Sequence, residues 1–137
     1  MRDQVRFRTS LFPPPIEQSE NGLQLAEWVC SKLPSRLKAD FIDEDWGCRV
    51  MFGAEGFAQI SLACGHVEEN QWSIACFVER SFIDKLLKRP EPTEALKEII
   101  QAIDAAVAKE GQFSNVEWFE NDRSLNETNY GARAFDE

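Results

Sequence analysis

Apolar and polar residues alternate in three stretches between Arg49 and Glu79. A period of two residues places the apolar positions of each stretch on one side of a β-sheet. Short polar links with glycine join the stretches at Gly53–Gly56 and Gly65–Gln71, which predicts a three-stranded antiparallel meander. The inward positions are Val50 and Phe52, then Ile60, Leu62 and Cys64, then Trp72, Ile74, Cys76 and Val78.

Further strands are predicted outside this meander. Gln4–Thr9 alternates in the same way, and Phe113–Phe119 forms a last strand. Phe41 and Ile42, just ahead of the meander, form either a short edge strand or a cover over the core.

Helical periodicity predicts two main helices and one short helix between them. The main helices carry apolar residues at spacings of three and four, and the short one opens with a capping box. Their expected caps and ends are Asn21 and Pro34, Ser81 (with Asp84) and Leu87, and Thr93 and Gly111.

This order of elements predicts an α+β fold. We expect a two-layer sandwich in which a mostly antiparallel sheet of four to six strands carries the two main helices on one face. The 137 residues fit one domain, which we place at residues 1–119. Residues 120–137 form a polar C-terminal tail with Leu125, Tyr130 and Phe135 as its anchors, and it docks on the domain or on a neighbour.

The sheet face opposite the helices is a candidate surface for ligand binding or dimerisation. It mixes small, charged and large apolar residues, whereas a solvated face would carry more charge. The alternative is that the tail, with Tyr130 and Phe135, folds back over this face. The larger residues on this open sheet face are Arg6, Arg8, Arg49, Met51, Phe77 and Phe119.

The charge balance restricts the class of partner. Fifteen basic against 24 acidic residues give a net charge of -9, which repels nucleic-acid backbones and anionic membranes. We therefore expect neither as a partner. A basic protein would be attracted, although the charge could also serve only to keep the chain soluble.

The cysteines and the N-terminus indicate a cytoplasmic protein. None of the four cysteines forms a C-x-x-C pair, and the first residues lack the apolar core of a signal peptide. No apolar run has the length of a membrane span. We expect reduced thiols, as in the cytoplasm.

Cys64-Gly65-His66 invites an interpretation as a catalytic thiol with an imidazole base. A nucleophilic cysteine needs a partly exposed, electropositive setting. Cys64 instead continues an inward apolar series, and Glu68 and Glu69 lie nearby. His66, the only histidine, is expected in a hairpin loop. With no glycine-rich phosphate loop either, we predict no catalytic residue, no metal and no cofactor.

The acidic turn before the meander is a candidate partner-binding site. It consists of Asp43, Glu44, Asp45 and Trp46, followed by Gly47. The carboxylates could meet Lys or Arg of a partner, with Trp46 as the anchor. The alternatives are a solvated acidic turn and a core position for Trp46 at the start of the strand.

Glu44-Asp45-Trp46-Gly47 leading into a three-stranded meander, in a small acidic chain, resembles small bacterial proteins of the toxin-immunity type. The resemblance implies a compact α+β domain that inhibits a partner by binding it. The function expected from the sequence is therefore a non-enzymatic protein-binding domain, an immunity-like inhibitor of a basic partner.

Two alternatives to this function remain open. One is a small-ligand-binding domain or enzyme with a pocket between the open sheet face and the tail, where Arg6, Arg8 and Arg49 would hold an anion. The other is a structural homodimer joined through the apolar residues of that face, which are Met51, Phe77 and Phe119.

Overall fold

The computed structural model describes residues 1–15, 22–53 and 57–136. Within these ranges, one helix follows the first strand, and two helices separate four consecutive strands from the last two strands. In chain order the elements are β1 (Gln4–Arg8), α1 (Leu23–Lys32), β2 (Ala39–Glu44), β3 (Gly47–Phe52), β4 (Gln59–Glu68), β5 (Gln71–Glu79), α2 (Phe82–Leu86), α3 (Thr93–Lys109), β6 (Ser114–Asn121) and β7 (Glu127–Gly131).

The strands of the described ranges form one antiparallel sheet in the order β2-β3-β4-β5-β1-β6-β7. The α+β class and the antiparallel sheet are thus confirmed, but the sheet has seven strands and not four to six. The missed strand is β7, whose sequence Glu-Thr-Asn-Tyr-Gly has no apolar alternation to reveal it. A strand at the edge of a sheet needs less apolar character than an inner strand because one side faces solvent.

The predicted meander is present as β3, β4 and β5. Val50 lies opposite Leu62, and Leu62 lies opposite Cys76, so the inward positions meet across the strands. All three side chains are buried. Of the first predicted link, residues 54–56 lie outside the described residues.

Strand β1 lies in the middle of the sheet, between β5 and β6. Its Val5 is opposite Ile74 on one side and Trp118 on the other. The N-terminal segment therefore joins the meander to the C-terminal hairpin of β6 and β7, and its alternate residues reach opposite faces.

Side chains of α1 and α3 share one core with the inward face of the sheet. Packing apolar stripes of helices onto one face is the usual way to bury an antiparallel sheet in an α+β protein. The core includes Leu25, Ala26 and Val29 of α1, Ile99, Ile100, Ile103 and Val107 of α3, and Val5, Phe7, Val50, Leu62, Trp72, Ile74 and Trp118 of the strands. None of the described helices is long and apolar enough to cross a membrane.

The helix caps match the prediction at one helix and differ at another. At α2, Ser81 Oγ accepts a hydrogen bond from Asp84 N at 3.1 Å, and Ser81 N donates to the Asp84 carboxylate at 3.0 Å, so the capping box is confirmed. The N-cap of α3 is Pro92 and not Thr93, which is the first helical residue. The expected cap Asn21 of α1 lies outside the described residues, and Gly22 occupies the N-cap with φ of 91°.

Two turns are shorter than predicted because the strands beside them continue. β2 runs through Glu44, so the acidic turn itself consists of Asp45 and Trp46. β4 runs on to Glu68, and His66 lies in this strand opposite Trp72. The prediction of His66 in a hairpin loop is therefore wrong.

The C-terminal segment is tied to the sheet by the buried side chain of Arg2. Its guanidinium donates hydrogen bonds to the carbonyl oxygens of Asn129 at 2.5 Å and Arg133 at 3.0 Å, and to the Asp136 carboxylate at 2.7 Å. Ala134 is buried. In the segment predicted as a tail, β7 extends the sheet at its edge, and Ala134 and Phe135 pack against the core, where Ala134 N donates a hydrogen bond to Asp104 of α3 at 3.2 Å.

Candidate partner-binding surface

Trp46 lies at the tip of the β2–β3 turn and is 44% exposed, so it is not a core residue. Its neighbour is Gly65 of β4. A β-carbon at Gly65 would lie 3.0 Å from the Trp46 carbonyl oxygen and 3.9 Å from Cε3 of the ring. Since Cys64 points inward, Gly65 belongs to the open sheet face, and Trp46 sits at the border of that face.

Strand β2 and this turn together form a surface that we call the acidic edge. It combines three large apolar side chains, each more than 40% exposed, with four carboxylates. Its members are Asp40, Phe41, Ile42, Asp43, Glu44, Asp45 and Trp46.

The apolar residues of the acidic edge are exposed because of their place in the sheet. Phe41 and Ile42 are consecutive, and consecutive strand residues point to opposite faces, so at most one of them can turn toward the helix layer. Phe41 lies opposite Val50 on the helix side, but α1 packs over β3 and β4 and β2 is the outermost strand. Phe41 and Ile42 were not predicted as part of the site, although two adjacent apolar residues in an edge strand were the available signal.

Negative charge accumulates on the acidic edge. Glu44 forms an ion pair with Arg49 at 3.5 Å. Asp40, Asp43 and Asp45 are exposed, and no ion pair among the described residues engages any of them. Three uncompensated carboxylates on this strand and its turn produce a negative potential, which salt screens over a Debye length of about 8 Å.

Arg49, next to the acidic edge, is held by carboxylates on the open sheet face. Its guanidinium contacts Glu79 at 3.0 Å in addition to Glu44, and Ser61 Oγ donates a hydrogen bond to Glu79 at 2.9 Å. This network fixes β3, β4 and β5 in register on their solvent side.

Arg6 is engaged by a second set of acidic residues at the other side of the face. It contacts Glu117 at 2.8 Å and Glu127 at 2.9 Å, and its guanidinium lies 4.7 Å from the centre of the Phe119 ring. The hydrogen bond from Arg6 lowers the pKa of Glu127, and the hydrogen bond donated by Tyr130 to Glu127 raises the pKa of Tyr130.

The three arginines do not converge on one site. β1, which carries Arg6 and Arg8, is separated from β3, which carries Arg49, by β4 and β5. Arg8 contacts Asn70 at 2.9 Å and Glu68 at 3.7 Å. A cleft of about 660 Å³ contains Arg6 and Arg8, but Glu68 and Glu117 line it as well, so its charges are largely neutralised from within.

The apolar residues of the open sheet face differ in accessibility. Met51 and Phe77 are both aligned with Ser61, one on each neighbouring strand, and Phe77 is 37% exposed. Phe119 belongs to the same face but is 4% exposed, because Arg6 covers it and the Tyr130 ring lies 5.9 Å away. The C-terminal segment thus covers Phe119.

The cysteines lie on the helix side of the sheet as free thiols. Cys64 is buried opposite Cys48, and burial raises its thiol pKa well above the usual value. Burial also raises the pKa values of Cys30 and Cys48 to about 11. This setting opposes thiolate formation and is the reverse of what a nucleophilic cysteine needs.

His66 is directed at its own hairpin. Its Nε2 lies 2.6 Å from the Glu69 carbonyl oxygen, and its ring packs edge-on against Trp72 with centres 5.0 Å apart. A carbonyl oxygen only accepts hydrogen bonds, so Nε2 carries the proton in this contact. In the described ranges, no group of three or more His, Cys, Asp or Glu side chains is arranged to hold a metal ion.

Comparison of the chain with protein-family models, with curated proteins and with solved structures found no match in any of the three.

Proposed function

We propose that this chain is a non-enzymatic protein-binding domain that docks its acidic edge on a basic partner, as an immunity-like inhibitor does. The observation that carries the proposal is the combination at the acidic edge of an exposed Trp46, the exposed Phe41 and Ile42, and three aspartates that no described cation neutralises. The proposal also places the chain in the cytoplasm.

The composition of the acidic edge suits an interface anchored by a few residues. Binding energy in protein interfaces concentrates on aromatic residues that become fully desolvated, with Trp prominent among them. Trp46 lies beside Gly65 and is 44% exposed, so part of its side chain is accessible to a partner. A flanking Phe41 or Ile42 would exclude water from around this anchor.

The carboxylates contribute to recognition of the partner and to the rate of association. A basic partner would be steered toward Asp43 and Asp45, which raises the association rate and makes it fall with ionic strength. The same carboxylates protect the exposed edge strand from pairing with edges of unrelated proteins, which is a common use of charge at sheet edges.

Fewer observations support the two alternative functions, which are an anionic-ligand site and a homodimer. A site for an anionic ligand would require Arg6, Arg8 and Arg49 to leave their carboxylate partners and would not bring all three together. A homodimer through Met51, Phe77 and Phe119 would lack Phe119, which the chain itself covers.

The test is affinity capture from lysate of the source cell with matched variants, read by mass spectrometry. The double variant Asp43→Asn/Asp45→Asn and the single variant Trp46→Ala should each lose a basic protein that the wild type captures at low salt. The control Glu91→Gln/Glu94→Gln makes the same change of charge elsewhere on the surface and should retain it. Capture that survives both acidic-edge changes would reject the proposal.

The inhibitor role has its own readout. If the captured protein is toxic when expressed, co-expression of the wild-type chain should restore growth, and co-expression of the Trp46→Ala variant should not. Equal rescue by both chains would contradict inhibition through the acidic edge.

A further inference from the structure

The short helix α2 exposes an apolar surface that nothing in the described ranges covers. Phe82, Ile83, Leu86 and Leu87 are between 57% and 79% exposed. At 100° per residue, these four positions lie on one side of the helix. An ordinary surface helix turns such a stripe toward the core.

The polar side of α2 is occupied by contacts within the segment Ser81–Arg89. Asp84 is 4% exposed and accepts hydrogen bonds from Ser81 N at 3.0 Å and from the Arg89 guanidinium at 3.1 Å. The backbone adds a hydrogen bond from Arg89 N to the Asp84 carbonyl oxygen at 3.0 Å. These contacts hold the short helix in shape without using its apolar side, which is left exposed to another molecule.

The charge around this apolar side is positive, in contrast to the chain as a whole. Lys85 and Lys88 are exposed, and no ion pair among the described residues engages either of them. We call the surface formed by Phe82, Ile83, Lys85, Leu86, Leu87 and Lys88 the α2 patch. Its occupant should combine apolar side chains with carboxylates.

The acidic edge has that composition, and its turn at Asp45 and Trp46 lies at the opposite end of β4 from α2. α2 follows the end of β5, where Glu79 is opposite Gln59 at the start of β4. Trp46 lies against Gly65, six residues further along β4, which is about 20 Å at the rise of an extended strand. Within one copy Trp46 and the apolar side chains of α2 are both exposed and do not cover each other, so a contact between them requires a second copy.

We propose that the α2 patch receives the acidic edge of a second copy, so that copies associate head to tail; this rests on the assignment of the acidic edge as a binding surface. Trp46 and either Phe41 or Ile42 would meet the apolar side of α2, and the aspartates would meet Lys85 and Lys88. Because the two surfaces differ, a pair of copies still has one unoccupied acidic edge and one unoccupied α2 patch. Further copies can therefore add, and the assembly is an open chain or a closed ring.

Charge disfavours the symmetric arrangements and a lipid surface. Two α2 patches placed face to face would set lysines against lysines, and two acidic edges would set carboxylates against carboxylates. The net charge of -9 repels an anionic membrane. A second copy carries the same net charge, so its attraction comes from the local pairing of the aspartates with Lys85 and Lys88.

The contact is expected to be weak. Four exposed apolar side chains present a few hundred Å², below the roughly 800 Å² per partner of a standard stable interface. Association should therefore appear only as the protein concentration rises, and it should weaken with salt.

Sedimentation velocity over a concentration series, at low and high salt, tests this with two variants that each disable one surface. Asp43→Lys/Asp45→Lys disables the acidic edge, and Leu86→Ser/Leu87→Ser disables the α2 patch. Each alone should be monomeric, while an equimolar mixture should form a dimer and nothing larger, since one intact surface remains on each chain. Leu125→Ser, which also removes an exposed leucine, should associate as the wild type does.

A wild type that is monomeric at every concentration would overturn head-to-tail association, as would a mixture that stays monomeric although both variants are folded by circular dichroism. Association that survives the Asp43→Lys/Asp45→Lys change would also overturn it and would indicate a symmetric contact through α2. Failure here is distinguishable from failure of the proposed function, which is judged by whether Asp43→Asn/Asp45→Asn loses the basic protein captured from lysate.

Discussion

Trp46 lies so close over Gly65 that a β-carbon there would come within 3.0 Å of the tryptophan carbonyl oxygen. The close approach depends on the missing side chain, and it holds the turn of the acidic edge against β4. A separation of 3.0 Å is tighter than nearly all contacts that real β-carbons make, so one of the two groups must shift.

Replacing Gly65 by alanine should therefore displace the turn and weaken partner binding. We expect a loss of stability of about 1 kcal/mol, since the shift is local, and reduced capture of the basic partner. Differential scanning calorimetry and the capture assay measure the two effects. Gly111→Ala is the matched control, because a β-carbon there meets nothing within 4 Å, and it should leave both quantities nearly unchanged.

The Arg2 side chain should hold the C-terminal hairpin to the sheet. Arg2→Ala leaves the carbonyl oxygens of Asn129 and Arg133 without their charged donor, so we expect a loss of about 2–3 kcal/mol. Urea unfolding measures this loss, and hydrogen exchange should show faster exchange of the amides in β7. Arg2→Lys should be intermediate because a lysine cannot reproduce the planar fork. Unchanged exchange in β7 would show that other contacts hold the segment.

The inner strands could be predicted from the sequence because burial imposes a strict pattern on them. The β3–β5 meander and the first strand alternate clearly, and their register follows from that alternation. β7 could not be predicted, since an edge strand anchored by a distant arginine has no apolar period of its own.

The alternation of apolar residues does not determine the order of the strands in the sheet. That order decides which surface side chains lie close together. Only the tertiary structure shows that β1 lies between β5 and β6, which separates Arg6 from Arg49 and gives each its own carboxylates. For the candidate site, the acidic residues and Trp46 were identified from the sequence. The contribution of Phe41 and Ile42 became clear only once β2 proved to be the outermost strand.

Asp3 should make stability depend on pH. Burial raises the pKa of Asp3, helped by Glu120, and its Oδ1 is buried without a hydrogen-bond partner among the described residues. The folded state then favours the protonated carboxyl more than the unfolded state does. The ionised carboxylate therefore destabilises the folded protein at neutral pH. This destabilisation is lost as the pH falls through the raised pKa toward 3.8.

The variant Asp3→Asn removes this ionisation. It should raise the Tm at pH 7, and its advantage over the wild type should shrink as the pH approaches 4. Thermal unfolding of both proteins from pH 4 to pH 8 measures the difference. An advantage of equal size at every pH would mean that the carboxylate of Asp3 carries no burial penalty.

The thiols should be unreactive in the folded state. Cys48, Cys64 and Cys76 are buried and their pKa values are raised, so iodoacetamide at pH 7.5 should modify them only after unfolding. Cys30, on α1 and partly accessible, should be modified first. Peptide mass spectrometry after timed labelling gives the order. Early modification of Cys64 would reopen the possibility of a reactive thiol beside His66.

The most direct test of the acidic edge is the association rate of the captured basic partner as a function of salt concentration. The wild type should bind quickly at low salt and slow steeply as salt rises, because Asp43 and Asp45 steer the encounter. The Asp43→Asn/Asp45→Asn variant should start slower and show a flatter dependence on salt, with its dissociation rate changed much less. The same association rate and the same salt dependence for both proteins would contradict binding through the acidic edge.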